Sequence, residues 1–229
     1  TKWGKEMIND FVDNPTTPSG CFYKIKELLR EHVEFSKECI YGLLSAWIIA
    51  TYFYQIFDAF PFLLILGKKG CGKSRLLDIL ERLSFNAIKT KGVTVAALSD
   101  TTDGIRGTFL IDQAESLSNP DNGEMVGILA DSYSRGGGKR RVVDMSSKGR
   151  KVLEFETYSP KVFATYKNIH YDLRDRCIEM VMLRGENDFP YPKASSPIWR
   201  EMRDELYRLL LTQWKEVVKI YPQTGMHVK

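Results

Sequence analysis

Histidine and cysteine are scarce in this chain of 229 residues, which holds three of the first (His32, His170, His227) and four of the second (Cys21, Cys39, Cys71, Cys177). The cysteines form no C-x-x-C pair and no histidine stands at ligand spacing from them. That argues against a zinc site or a disulfide framework and makes a reducing cytoplasm the default setting. The histidines are too dispersed to suggest a metal centre or a catalytic triad. A strong charge excess is missing too: Lys+Arg 33 against Asp+Glu 29 leaves +4, a balance that permits nucleic-acid binding without requiring it. There is no internal repeat, and residues 1–14 mix charges without the apolar run of a signal peptide.

One long uncharged run does occur, CIYGLLSAWIIATYFYQIF over residues 39–57, and its length would span a bilayer. Against that reading, it is rich in tyrosine and contains Ser45, Thr51 and Gln55, and only Asp58-Ala59-Phe60-Pro61 separates it from the next apolar strand. A helix apolar all round belongs in a membrane or in a core. The short link favours a buried helix packed on a sheet and no membrane partner. With 43% hydrophobic residues the chain can bury a full core, as one large domain or one domain with a small appendage.

What is present is organised around an apolar strand (Phe62, Leu63, Leu64, Ile65, Leu66), a glycine-rich turn and an amphipathic helix from about Lys73. Gly67, Lys68, Lys69, Gly70, Cys71, Gly72, Lys73 and Ser74 fit G-x-x-x-x-G-K-[ST]. Backbone N–H groups of such a turn curl around a polyphosphate, and the helix N-terminus adds partial positive charge. Lys73 then reaches the β- and γ-phosphates, and the Ser74 hydroxyl ligates Mg²⁺. ATP and Mg²⁺ are therefore the expected cofactors.

In chain order, residues 1–20 read as a polar lead-in and residues 22–36 as an amphipathic helix. After the glycine-rich unit come a short strand (86–90), a helix (93–98) and a turn-rich link (100–107). Thr108-Phe109-Leu110-Ile111-Asp112 reads as a buried parallel strand ending in a carboxylate, which would hold Mg²⁺ beside Ser74. A helix (124–134) leads to a cationic stretch and two strands (140–145 and 150–156) around the turn Ser146-Ser147-Lys148-Gly149, a hairpin signal. Its basic residues, with Arg140, Arg141, Lys148, Arg150 and Lys151 as the DNA-binding candidates, are either a solvated face or a phosphate-contacting device, and composition does not choose between the two. Strands at 161–165 and 177–183 follow, then a strongly amphipathic helix (196–221). The predicted fold is three-layer α/β, a central, mainly parallel five-stranded sheet with helices on both faces and a small helical C-terminal appendage. The expected boundaries are a helical lead-in (1–37), the nucleotide-binding core (38–185) and the appendage (186–229), and the abrupt ends suggest an excerpt from a longer protein.

The order glycine-rich loop, Asp112 strand, strand with polar end (Thr165 to Asn168) and Leu173-Arg174-Asp175-Arg176-Cys177 resembles an AAA+ ATPase. Residues 58–63, Leu110-Ile111-Asp112-Gln113-Ala114-Glu115 and Asp172-Leu173-Arg174-Asp175-Arg176 are similar to the ATPase domains of primase-helicase replication proteins of plasmids, viruses and integrated elements. The resemblance covers about residues 40–183. It implies Asn168 as the sensor that orients the attacking water, Arg176 as the finger on a neighbouring subunit's γ-phosphate with Arg174 as its alternative, and a hexameric ring with the hairpin touching DNA, most simply single-stranded. One departure stands out. The family carries Glu directly after the strand-ending Asp, whereas this chain has Gln113, whose amide holds a water and cannot be its general base. Three readings remain open: Glu115 substitutes, hydrolysis is slow, or the residue was changed to trap ATP. The function expected is a DNA-coupled ATPase, with a nucleotide-gated interaction module of little turnover as the competing class.

Overall fold

The computed structural model describes residues 3–92, 94–137, 139–144, 151–185 and 187–224. Its strands in chain order are β1 (Phe62–Leu66), β2 (Ile88–Lys91), β3 (Phe109–Asp112), β4 (Lys139–Asp144), β5 (Lys151–Glu156), β6 (Lys161–Thr165) and β7 (Cys177–Val181). Five of them form one all-parallel sheet in the order β2-β3-β6-β1-β7, and β4 with β5 make a separate antiparallel hairpin. The period-2 alternation of side chains along each strand divides the apolar residues between two layers. Leu63, Ile65, Leu110, Val162 and Ala164 face one layer, and Phe62, Leu64, Phe109, Ile111 and Phe163 the other.

The helices are α1 (Lys5–Asp13), α2 (Pro18–His32), α3 (Cys39–Thr51), α4 (Lys73–Leu83), α5 (Val95–Ile105), α6 (Gly123–Asp131), the short α7 (Tyr171–Arg174) and α8 (Ile198–Ile220). Helices α2, α3, α4 and α8 pack on the first face of the sheet, and α5, α6 and α7 on the second. The architecture is thus α/β with a parallel sheet between two helical layers and a long C-terminal helix. Cys21, Ile25, Leu44, Ile48, Met202 and Leu206 share a single core, so the N- and C-terminal helices are packed onto the same sheet face.

The long apolar run divides into α3, only 13 residues or about 20 Å long, and a 3₁₀ turn at Tyr54–Ile56. Its polar groups are satisfied inside the protein: Trp47 Nε1 donates to the Pro61 carbonyl, Ser45 Oγ to Tyr41, and Thr51 Oγ1 to Ile48 while accepting the Phe85 N–H. Among the described residues no helix is long and apolar enough to cross a membrane.

Two segments depart from the sequence expectation. Residues 5–13, read as lead-in, are helical because tertiary contact supplies what propensity lacks: Phe11 is buried, Trp3 packs edge-on against it, and Arg208 of α8 lies over its ring and pairs with Asp10. The link at 100–107 is largely helix instead, since α5 runs to Ile105. Thr94 caps its first turn by accepting the Ala97 N–H, and Ser99 and Thr102 are buried along its length.

A lysine sits fully buried at the start of β6. Lys161 Nζ donates to the Thr157 carbonyl (2.8 Å), the Ser159 carbonyl (3.1 Å) and Ser159 Oγ (3.0 Å), and it lies over the Phe62 ring. Burial lowers its pKa from 10.5 to about 7, against the opposing pull of Glu156. The folded protein therefore holds fewer protons than the unfolded chain between about pH 7 and 10.5, and stability should rise with pH through that window. Replacing Lys161 by Met should remove this rise, measured by urea unfolding at pH 7 and pH 9. It should also cost about 1–3 kcal/mol at pH 9 by removing the buried hydrogen bonds that Lys161 Nζ gives to Thr157 and Ser159. Equal pH slopes in both proteins would refute a titrating Lys161.

Candidate functional site

The C-terminal ends of β1, β6 and β3 open on one cleft of about 1340 Å³, where an open parallel sheet presents its loops and helix N-termini. The glycine-rich turn forms its floor. Gly72, immediately before α4, has φ of 91°, a left-handed conformation that side chains with a Cβ rarely adopt. At Gly67 a Cβ would come within 2.4 Å of Cys71 Sγ and 2.7 Å of the Met182 carbonyl oxygen, so the turn closes only on glycine. Lys73 and Ser74 open α4, with Ser74 exposed to the cleft. Lys73 Nζ donates to the carbonyls of Gly67 (2.5 Å) and Lys68 (2.9 Å), which folds the ammonium back over the turn it follows.

Opposite the turn stands Asp112, the last residue of β3 and 8% exposed. Strand β6 lies between β1 and β3, which sets the carboxylate about 10 Å across the sheet from the end of β1 at ordinary strand spacing. Asp112 Oδ1 accepts the N–H of Gln113 (3.0 Å). Gln113 is one of three non-glycine residues with positive φ among the described residues, at 60°, and it lines the cleft. Glu115, on the 3₁₀ turn Ala114–Ser118, lines it too. Its Oε1 accepts the Tyr166 N–H (3.3 Å), bridging the exits of β3 and β6.

The far wall comes from segments distant in sequence. His32 ends α2 and Val33 and Glu34 follow it, while Leu183, Arg184, Asn187 and Tyr191 come from the chain beyond β7. They interlock through His32 Nδ1 on the Pro190 carbonyl (3.1 Å) and Asn187 Nδ2 on Glu34 Oε2 (3.2 Å). Arg75, next after Ser74, joins both by donating to the His32 carbonyl (3.3 Å) and placing its guanidinium 5.8 Å from the Tyr191 ring centre. The motif pointed to none of these except by Arg75's position beside it, because contacts between residues more than 100 positions apart leave no local pattern.

The structure thus brings together Gly67, Lys68, Lys69, Gly70, Cys71, Gly72, Lys73, Ser74, Asp112, Gln113 and Glu115, and places Asn168 and Arg176 elsewhere. Asn168 is exposed and does not line the cleft. Thr165 Oγ1 accepts the Lys167 N–H and donates to the Lys167 carbonyl, turning the chain away, while Tyr166 lines the wall. Arg176 precedes β7, whose Cys177 pairs with Phe62 at the start of β1, so it lies at the opposite edge of the sheet. Its Nη1 donates to the Asp172 carbonyl, and it borders a recess of about 330 Å³ with Asp131, Tyr133 and Ser134. Arg174 makes a two-pronged pair with Glu179, which raises the arginine's pKa.

The hairpin is present, with Val143 opposite Val152 and Arg141 opposite Glu154. Lys139 and Arg141 both pair with Glu154, and Arg135 with Asp58, so three cations of this neighbourhood have carboxylate partners. Lys148 and Arg150 lie outside the described residues, as do the side chains of Arg140 and Lys151. The hairpin base is tied to α5 through the Glu156 N–H on Asp103 Oδ1 (3.3 Å).

No protein-family model matches the chain, and no curated protein matches it. Among solved structures it is similar to one titled "The A form apo structure of NrS-1 C terminal region-CTR", at 11% identity and a TM-score of 0.47, over 93% of this chain and 46% of that one. The chain therefore spans less than half the length of that neighbour.

Proposed function

We propose that this chain is a Mg²⁺-dependent ATP-hydrolysing domain of the AAA+ type, coupled to DNA in replication. The observation that carries the reading is the convergence on one cleft of the glycine-closed turn with Lys73 and Ser74, and of Asp112 with Gln113 and Glu115. In that reading the turn's N–H groups and Lys73 bind the triphosphate, while Ser74 and Asp112 hold Mg²⁺. Among the described residues no cluster of three or more His, Cys, Asp or Glu would hold a metal unaided. That suits Mg²⁺, which takes most of its ligands from phosphate and water. Gln113 or Glu115 positions the attacking water. Arg176, set at the far edge of the sheet from its own cleft, serves a neighbouring subunit in a ring, and the β4–β5 hairpin meets single-stranded DNA.

Gln113 favours a second reading, a nucleotide-gated assembly module with little turnover. ATP turnover with and without single-stranded DNA separates the two: stimulation by DNA supports the motor, and background rates under both conditions support the module. If the hairpin contacts phosphates, replacing Lys148 and Lys151 by Ala should weaken DNA binding and reduce the slope of log affinity against log salt by roughly one to two units, with ATP affinity unchanged. An unaltered slope would leave the hairpin a solvated face.

A further inference from the structure

We propose that Tyr191 is the platform on which the nucleobase stacks, an inference that rests on the cleft binding a nucleoside triphosphate. Tyr191 is a large aromatic left 58% exposed on the cleft wall, yet it is fixed at two points. Its hydroxyl donates to Asp78 Oδ2, and Asp78 Oδ1 takes Lys89 Nζ. The Arg75 guanidinium, itself tied to the His32 carbonyl, lies over one face of the ring. Asp78 is 8% exposed. Its burial would raise the carboxyl pKa, but the hydrogen bonds from Lys89 and Tyr191 outweigh that and hold it ionised below its ordinary value. The same contact to Asp78 raises the pKa of the Tyr191 phenol, so both partners keep their charge states across neutral pH.

Both anchors sit on α4, the helix that begins with Lys73 and Ser74. Arg75 is in its first turn, and Asp78 stands about 4.5 Å further along at ordinary helical rise. The ring is thereby held in register with the phosphate turn. A side chain so immobilised loses little entropy when a ligand docks on it, which is where rigid aromatics gain affinity. Burial gives no reason for a half-exposed ring to be braced by an arginine and a near-buried aspartate. A ligand with a flat apolar face at one end and a triphosphate at the other does. Stacking on an aromatic ring tolerates any base, since each has a π face. The platform therefore adds affinity for nucleotides in general, and the base identity is read by other groups.

The test is calorimetric titration, with Mg²⁺, of ATP and of inorganic tripolyphosphate, which has the phosphates and no base. The wild-type chain should bind ATP at least tenfold more tightly than tripolyphosphate. Tyr191→Ala should lose roughly tenfold in ATP affinity with no loss for tripolyphosphate, and Tyr191→Phe, which keeps the ring, should stay within about threefold of wild type for both. Equal losses of both ligands in Tyr191→Ala, or no loss of either, would overturn the platform. So would equal affinity of the wild-type chain for ATP and tripolyphosphate, though that outcome leaves the phosphate site standing. Failure of the wild-type chain to bind either ligand would overturn the phosphate site and the platform together.

Discussion

Lys73→Ala is expected to lower ATP affinity by at least 100-fold and to reduce turnover to background, measured by calorimetry and by phosphate release. The effect should be this large because Lys73 is placed to act on two things at once. Its ammonium caps the carbonyls of Gly67 and Lys68, holding the turn's carbonyls on one side and leaving its N–H groups for the ligand. On the reading that the turn binds a triphosphate, it is also the motif's cation for the β- and γ-phosphates, where a charge-assisted contact in a part-buried setting contributes about 1.5–3 kcal/mol. A hundredfold is about 2.7 kcal/mol, so losing both roles meets that figure without invoking misfolding. Lys69 lies in the same loop but is exposed, and its replacement by Ala should change affinity by less than threefold. Retention of wild-type affinity and turnover in Lys73→Ala would remove the phosphate-binding assignment. A matching loss in Lys69→Ala would point to the net charge of the loop instead of the position of one amine.

The strands were legible because each is a short apolar run ended by a turn, and burial on both faces of a parallel sheet demands such runs. The expectation at 161–165 coincides with β6, and 62–66 with β1. The glycine-rich turn was legible for a different reason: its φ of 91° at Gly72 and the close approach at Gly67 are requirements on single residues. What could not be read were elements whose stability lies in remote contacts. Helix α1 depends on Arg208 and Tyr207 of α8, and the second half of α5 extends through Asp100, Thr101, Thr102 and Asp103, residues of poor helix propensity, because it packs on β5 of the hairpin and on α6. The cleft's far wall belongs to the same class. His32 meets Pro190, and Tyr191 meets Asp78, so half of the site is assembled by the fold from residues that carry no motif.

Gln113→Glu is expected to raise ATP turnover by 10²- to 10³-fold with ATP affinity nearly unchanged, on the reading that the cleft hydrolyses ATP. Gln113 lines the cleft next to Asp112, where a water attacking the terminal phosphate would need a partner. An amide can hold that water by hydrogen bonds but cannot take its proton, and a positioned general base contributes about 10²–10⁴-fold. Backbone geometry makes the position more than incidental. Gln113 has φ 60° and ψ 50°, a left-handed conformation costing about 1–2 kcal/mol for a residue with a Cβ, and its N–H is held on Asp112 Oδ1. The backbone at this position is therefore held by the same carboxylate assigned to Mg²⁺, and an isosteric Glu should keep that backbone placement. Glu115 is the competing base, since it too lines the cleft; its Oε1 accepts the Tyr166 N–H, and its second oxygen is the one that would take a water. The two positions are told apart by the pair of variants. If Gln113→Glu accelerates turnover and Glu115→Gln changes it little, position 113 is where the water is activated. If Gln113→Glu has no effect while Glu115→Gln abolishes turnover, Glu115 is the base.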